Sequence, residues 1–214
     1  MPRQLMSDQL QEYLRQFVPS RPAEMEAMEA YARRTGFPIV GPAAGHVCYQ
    51  VSRMVDARSV FELGSGYGYS TAWFARAVKE NGGGTVHYTD RSEERAQKAR
   101  EHLGTLGFAG VVEYHVGEAV QSLREAEGPF DLIFIDIDKK DYPGAVPVIE
   151  EKLRSEGVVV ADNVLWGGRI FDERDHSSST EAIREFTRLV LDDPAWIPML
   201  VPVRDGLLIA YKQG

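Results

Sequence analysis

The sequence is poor in cysteine, has no long apolar run and is short of positive charge, and each shortage removes a class of protein. Cys48 is the only cysteine in 214 residues, so no internal disulfide and no cysteine-based metal site can form, which fits a reducing compartment. Nowhere do about 18 apolar residues run together, as a membrane span would need. The N-terminus, Met1-Pro-Arg-Gln-Leu-Met6, lacks the apolar core of a signal peptide, so the expectation is a cytoplasmic protein. Lysine and arginine number 24 against 32 acidic residues, for a net charge of −8. That balance disfavours broad contact with nucleic acid or an anionic membrane and points to a small substrate. No repeat or low-complexity tract is present. His87, His102 and His115 are scattered without ligand spacing, so structural roles are expected for them, and His46 reads as a hydrogen-bonded or exposed side chain.

What is there is a regular alternation. From Ser59 onward, short apolar runs near 60–63, 85–89, 111–116, 132–136 and 158–161 alternate with amphipathic stretches at 69–79, 92–106, 118–125 and 142–153. Such repeats predict an α/β fold with a doubly wound, mostly parallel sheet and right-handed crossovers. The chain then changes character. Ser178 and Glu181 have the spacing of a capping box before a helix whose Ile183, Phe186 and Val190 face inward. Runs at 199–203 and 207–211, joined through Arg204-Asp205-Gly206, read as an antiparallel hairpin that brings the strand count to seven. Ahead of the alternation, 7–18 and 23–35 read as two short polar helices that cover the site, meet another subunit or merely decorate the surface. A further helix after Pro42 carries Val47, Val51, Met54 and Val55 as its core face. The length predicts one domain, 1–214, with 1–36 as an N-terminal helical extension.

Phe130 to Lys140 is the stretch around which the rest is organised. Leu132 to Ile135 is continuously apolar, as suits a strand covered on both faces, and it ends in Asp136, Asp138, Lys139 and Lys140. Ligands of open α/β sheets sit at the carboxyl ends of strands, which makes these charges candidates for chemistry. A second acidic strand end, Asp162-Asn163, follows one crossover later. Asp136, Asp162 and Asn163 offer three oxygen ligands and no sulfur or imidazole, a set suited to a hard divalent cation such as Mg²⁺.

At the first strand end, Glu62-Leu-Gly-Ser-Gly-Tyr-Gly-Tyr-Ser70 forms a glycine turn. Its third glycine is misplaced for a dinucleotide fingerprint, where position 69 would be glycine rather than Tyr69, so a nicotinamide oxidoreductase is disfavoured. A carboxylate beside the loop also suits a cationic ligand better than a pyrophosphate. Asp90 closes the second strand, where an acid accepts hydrogen bonds from ribose hydroxyls. Gly117-Glu118-Ala119 ends the third, where either an adenine or a plain turn fits.

Glu62 to Ser70, Asp136-x-x-Lys139 and Asp162-Asn163-x-Leu-Trp166-x-Gly168 together resemble the cation-dependent O-methyltransferases, the family of catechol and caffeoyl-coenzyme A O-methyltransferases. The similarity runs from about residue 37 to 212. It implies a class I S-adenosylmethionine-dependent fold and a homodimer. By position, Val40, Glu62, Gly64, Ser65, Ser70, Asp90, Ala119 and Asp136 would surround the cofactor. Asp136, Asp162 and Asn163 would bind Mg²⁺ or another divalent ion such as Mn²⁺ or Ca²⁺. Lys139 would be the base, with Asp136 beside it among the catalytic residues. Ala44 and His46 depart from the acidic residue and the glutamine common in the family. Asp138 reads as a contact to substrate or to the ligands ahead of a direct metal ligand, Lys140 as solvated, Tyr142 and Trp166 as site walls or core, and 169–176 as a mobile loop selecting substrate. The implied activity is methyl transfer to a catechol-like small molecule. The alternatives are methylation of a hydroxyuridine in transfer RNA, or a cofactor-binding interaction protein without catalysis.

Overall fold

The structure is a computed structural model and describes residues 8–214, so the start of the first expected helix, at Ser7, lies outside the described residues. Helices α1 (Asp8–Arg15), α2 (Ala23–Thr35) and α3 (Gly41–Met54) precede strand β1 (Ser59–Leu63). Then come α4 (Tyr69–Glu80), β2 (Thr85–Asp90), α5 (Glu93–Thr105), β3 (Val112–Val116), α6 (Ala119–Glu125) and β4 (Phe130–Ile135). The chain ends with α7 (Tyr142–Lys152), β5 (Leu153–Asp162), α8 (Ser178–Asp192), β6 (Trp196–Val201) and β7 (Leu207–Lys212).

The seven strands form one sheet in the order β3-β2-β1-β4-β5-β7-β6, parallel through β5, with β7 antiparallel to both of its neighbours. The apolar run of β4 is covered on both faces. Leu132 and Phe134 join the core layer beneath α2, α3 and α4, whereas Ile133 and Ile135 join the layer beneath α6, α7 and α8. All four are fully buried. Because β1, β2, β4 and β5 run in parallel, Leu63, Asp90, Ile135 and Asp162 end at the same edge of the sheet.

Helix α2 is part of the core. Met25, Met28 and Ala32 are buried in it, the Tyr67 hydroxyl donates to the Met28 carbonyl at 3.0 Å, and the Tyr69 hydroxyl donates to Glu29 at 2.8 Å. Two local expectations are corrected. Met54 is 79% exposed, because α3 turns Ala44, Cys48 and Val51 inward instead of continuing its core face to its last turn. The capping box at Ser178 does not form. Ser177 is the N-cap, its hydroxyl donates to Thr180 Oγ1, and Glu181 is taken by His176 and Arg184. Ile183, Phe186 and Val190 do face inward. Among the described residues no helix is long and apolar enough to cross a membrane.

Candidate active site

The turn from β1 into α4 brings the backbones of β1 and β4 into contact. Gly64 has φ +87°, and a Cβ there would lie 2.4 Å from the Asp136 carbonyl oxygen, so only glycine fits. The Ser65 amide donates to the Thr89 carbonyl at 2.8 Å, and the Thr89 hydroxyl donates to the Glu62 carbonyl at 2.6 Å, which ties β1 to β2 beneath the turn. Glu62 lies fully buried under this loop. Thr71 Oγ1 donates to its Oε2 at 2.5 Å, while Oε1 has no partner. Burial pushes its carboxyl up to about 7, against the opposing pull of the Ser70, Thr71 and Ser65 hydroxyls. A buried carboxylate with an unused oxygen suits a cationic group brought in by a ligand.

Above Glu62 lies a cleft of about 430 Å³. Its lining includes Val40, Gly64, Ser65, Ser70, Asp90 and Asp136, together with Lys139, Asp162 and Asn163. Ala119 lies apart from it, in an adjoining cleft of about 200 Å³ that shares Gly64, Asp90 and Asp136. The structure therefore places every residue expected at the cofactor in or under two connected clefts. Asp90 is already engaged: Arg95 Nε donates to its two oxygens at 2.8 and 2.9 Å, and the Ser92 amide donates to Oδ1 at 2.7 Å. A ribose there would share the carboxylate with Arg95. Ala44 and His46 do not line the cleft. Ala44 is buried, Gly45 is packed so tightly on Trp73 that a Cβ would meet the indole, and His46 stacks on Tyr49.

At the reacting end, Asp136 follows β4, and a short turn at 139–141 places Lys139 back over it. Lys139 is 6% exposed, and its Nζ donates to Asp136 Oδ1 at 2.9 Å and to Tyr142 Oη at 2.5 Å. The Tyr142 hydroxyl in turn faces the carbonyls of Ile135 (3.1 Å) and Asp162 (3.0 Å), so this buried ring is core and braces the lysine. Burial, with Asp136 and Asp162 nearby, keeps its phenol well above the ordinary range. Asp162 is 1% exposed and accepts from the Asn163 amide at 2.8 Å. Burial and the neighbouring Asp136 push its carboxyl up, so two carboxyl groups repel each other within the cleft. That repulsion, and a donor set made only of oxygen, fit a divalent cation between Asp136, Asp162 and Asn163. Asp138 caps the 139–141 turn and lines the cleft, and Lys140 is exposed.

Trp166 lines the cleft with its indole Nε1 unpartnered. Its loop is gripped by the β6–β7 turn: the Val164 amide donates to the Gly206 carbonyl (3.2 Å), Leu165 to the Asp205 carbonyl (2.9 Å) and Gly167 to Asp205 Oδ1 (2.6 Å). The 169–176 loop is held rather than loose. Arg169 pairs with Asp175 at 2.7 Å, Arg184 donates to the carbonyls of Ile170, Asp172 and Asp175, and none of these loop residues lines the cleft. Sequence reasoning passed over Arg204, which does line it.

The sheet also brings together His87, Glu113 and His115, which sequence spacing did not suggest. His87 Nδ1 and His115 Nε2 are 3.1 Å apart, with ring centroids 5.4 Å apart and planes 19° apart. The two nitrogens thus face each other head-on, as in an N–H···N bond. Imidazoles on one ion instead aim their lone pairs at a common point about 2 Å from each nitrogen. A structural role fits this pair.

The family model for O-methyltransferases matches residues 24–213. The catechol O-methyltransferase of Niastella koreensis is 32% identical over 155 residues, covering 71% of this chain and 69% of that one. Among solved structures, the O-methyltransferase TomG of Streptomyces achromogenes, in complex with S-adenosylmethionine, superposes with a TM-score of 0.87 at 25% identity over 100% of both chains. The O-methyltransferase of Bacillus cereus, in complex with S-adenosylhomocysteine, gives 0.86 at 26% identity, covering 96% of this chain and 97% of that one. This chain belongs to the O-methyltransferase family, and its activity is methyl transfer to oxygen.

Proposed function

We propose that the enzyme moves the methyl group of S-adenosylmethionine to one hydroxyl of a catechol-like vicinal diol, with a divalent cation at Asp136, Asp162 and Asn163. The observation that carries this reading is the buried Lys139 Nζ 2.9 Å from Asp136, in the same cleft as Asp162. Base and metal ligand thereby share one site. Two supports come from relatives: the Niastella protein is named for catechol, and TomG and the Bacillus enzyme hold the donor and its demethylated product.

The chain's own residues divide the work. Glu62, buried and short of one partner, stabilises the positively charged methionine end of the donor from below. Asp90 holds the ribose together with Arg95, and the glycine turn lets the backbone approach. When bound, the cation would lower the pKa of a diol hydroxyl and help to orient it. Lys139 Nζ takes the hydroxyl proton, and Tyr142 keeps that nitrogen from swinging away from Asp136. The diol oxygen attacks the methyl carbon as the carbon–sulfur bond breaks, leaving neutral S-adenosylhomocysteine. Because the sulfonium is already activated, alignment is the protein's principal contribution.

The test is transfer from labelled S-adenosylmethionine to a panel of catechols, using chelator-stripped protein with and without Mg²⁺. Transfer restored by metal and abolished in Lys139→Ala and Asp162→Ala is expected. Donor binding without methylation of any diol under either condition would refute the small-diol reading and make hydroxyuridine-containing transfer RNA the next acceptor to try.

A further inference from the structure

Arg204 sits where a long charged side chain has to be explained. It occupies the β6–β7 turn with φ +52°, a left-handed conformation in which glycine carries no steric cost and arginine does. From there its side chain passes over Gly41, where a Cβ would lie 3.4 Å from Arg204 Cδ. One guanidinium N–H donates to the Ile39 carbonyl at 2.5 Å. Among the described residues no other hydrogen bond uses its remaining N–H groups, and no carboxylate lies within ion-pairing distance. Its charge acts on Asp162 and Asp205 from beyond that distance, so a fork with most of its five donors free faces the cleft, a geometry suited to an anionic group.

Its place among the clefts gives the direction. The reaction cleft shares Gly64, Asp90 and Asp136 with the small cleft on the nucleoside side. It shares Phe37, Pro38, Ile39 and Arg204 with a wider cleft of about 710 Å³, whose lining adds Arg15, Arg21 and Arg33. Among the described residues the only acid in that wider lining is Glu29, which is buried, bonded to Arg21 at 2.5 Å and to the Tyr69 hydroxyl at 2.8 Å, and 3.9 Å from Arg33. Arg15 is itself paired with Glu12 at 2.7 Å, so among the described residues four guanidinium groups and two carboxylates meet at one mouth of the site, a local excess of positive charge in a chain whose net charge is −8. Such a local reversal of sign steers anions toward the opening.

We propose that the methyl acceptor carries an anionic group, a carboxylate or a phosphate, and that Arg204 reads it at the mouth between the two clefts. The inference rests on the diol reading above: the diol end is fixed at Asp136 and Asp162, and the rest of the molecule leaves past Arg204. The chain is therefore selective for acidic diols over neutral ones.

The experiment compares 3,4-dihydroxybenzoate, 3,4-dihydroxyphenyl phosphate and the neutral methyl ester of the benzoate. It measures kcat/KM with Mg²⁺ present, and binding to the enzyme loaded with Mg²⁺ and S-adenosylhomocysteine by tryptophan fluorescence. Wild type should prefer at least one anion over the ester by roughly tenfold or more, mostly in KM, and the preference should shrink as salt is raised. The two anions tell carboxylate from phosphate. In Arg204→Gln the anion-to-ester ratio should fall toward one, and Arg204→Lys, which keeps the charge but loses the fork, should retain part of it. Equal use of anions and ester by wild type overturns the proposal while leaving the diol reading intact. An undiminished preference in Arg204→Gln overturns the assignment to Arg204. If no diol is bound or methylated, both the diol reading and this inference fall.

Discussion

Replacing Glu62 by glutamine isolates the charge beneath the donor site. The carboxyl is fully buried, its Oε1 has no partner, and burial lifts it from about 4.5 to about 7. Because its folded value lies above its unfolded value, the stability linked to its proton is fully present below about 4.5 and is lost as pH rises through 7. Between pH 6 and pH 8 the loss works out at about 1.3 kcal/mol, out of about 3.4 kcal/mol over the whole span. Urea unfolding of the ligand-free protein at pH 6, 7 and 8 measures it. Other groups, Asp162 among them, add to the slope of both proteins, so the quantity to compare is the difference between wild type and Glu62→Gln. Wild type should lose about 1.3 kcal/mol more than the variant over that interval. The donor's ammonium and sulfonium groups favour the carboxylate form, so donor binding should expel a proton and tighten as pH rises toward 8. Calorimetric titration in two buffers of different ionisation heat counts that proton, and the variant should release none from this site. Parallel pH slopes for wild type and Glu62→Gln, in both stability and donor binding, would refute the reasoning.

Two further substitutions test the geometry around the cleft. Gly64→Ala places a Cβ against the Asp136 carbonyl at a φ of +87°, and since that neighbour is backbone it cannot step aside. A loss of about 2–4 kcal/mol is expected, roughly 6–12 °C in thermal midpoint, and a change below 1 °C would mean the strands are not in contact there. Asp205→Ala removes the acceptor of the Gly167 amide and loosens the loop that begins at Asn163. Affinity for Mn²⁺, followed by its electron paramagnetic resonance signal, should fall roughly tenfold, with Asp205→Asn recovering most of it. Equal affinity in all three proteins would show that the turn does not position the proposed metal site.

Much of this site was legible because it depends on the ends of buried strands. A run such as Leu132 to Ile135, set in a regular strand–helix alternation, suits an inner strand whose following charges emerge at a sheet edge, and the parallel register carries Glu62, Asp90 and Asp162 to that same edge. The glycine turn was legible for the same reason, since its positions follow directly from the end of β1. Tyr142 was harder: as an isolated aromatic it suits a wall or a core equally, and only the packing of α7 under Asp162 shows its hydroxyl bracing Lys139. The pairing of His87 with His115 was hidden because it depends on the β2–β3 register, in which Thr89 rather than His87 stands opposite His115.

Arg204 and Asp205 were missed for a different reason, which the topology makes plain. Locally, Arg204-Asp205-Gly206 reads as a reversal between two apolar runs, and that reading is correct. What it omits is the order of strands: β7 inserts between β5 and β6, with Asp162 opposite Leu207. Because β7 runs antiparallel to β5, its first residue lies beside the last residue of β5. The turn before it must then sit at the edge where the parallel strands deliver their charges. A hairpin closing a parallel sheet therefore contributes to the ligand edge through the residues that precede its second strand, as surely as a βαβ unit does through those that follow its first. Here that position holds an arginine in a conformation suited to glycine, followed by the aspartate that grips the Asn163–Gly168 loop. The turn thus belongs to the same edge as the cleft, with one residue anchoring the loop that begins at Asn163 and the other facing the cleft.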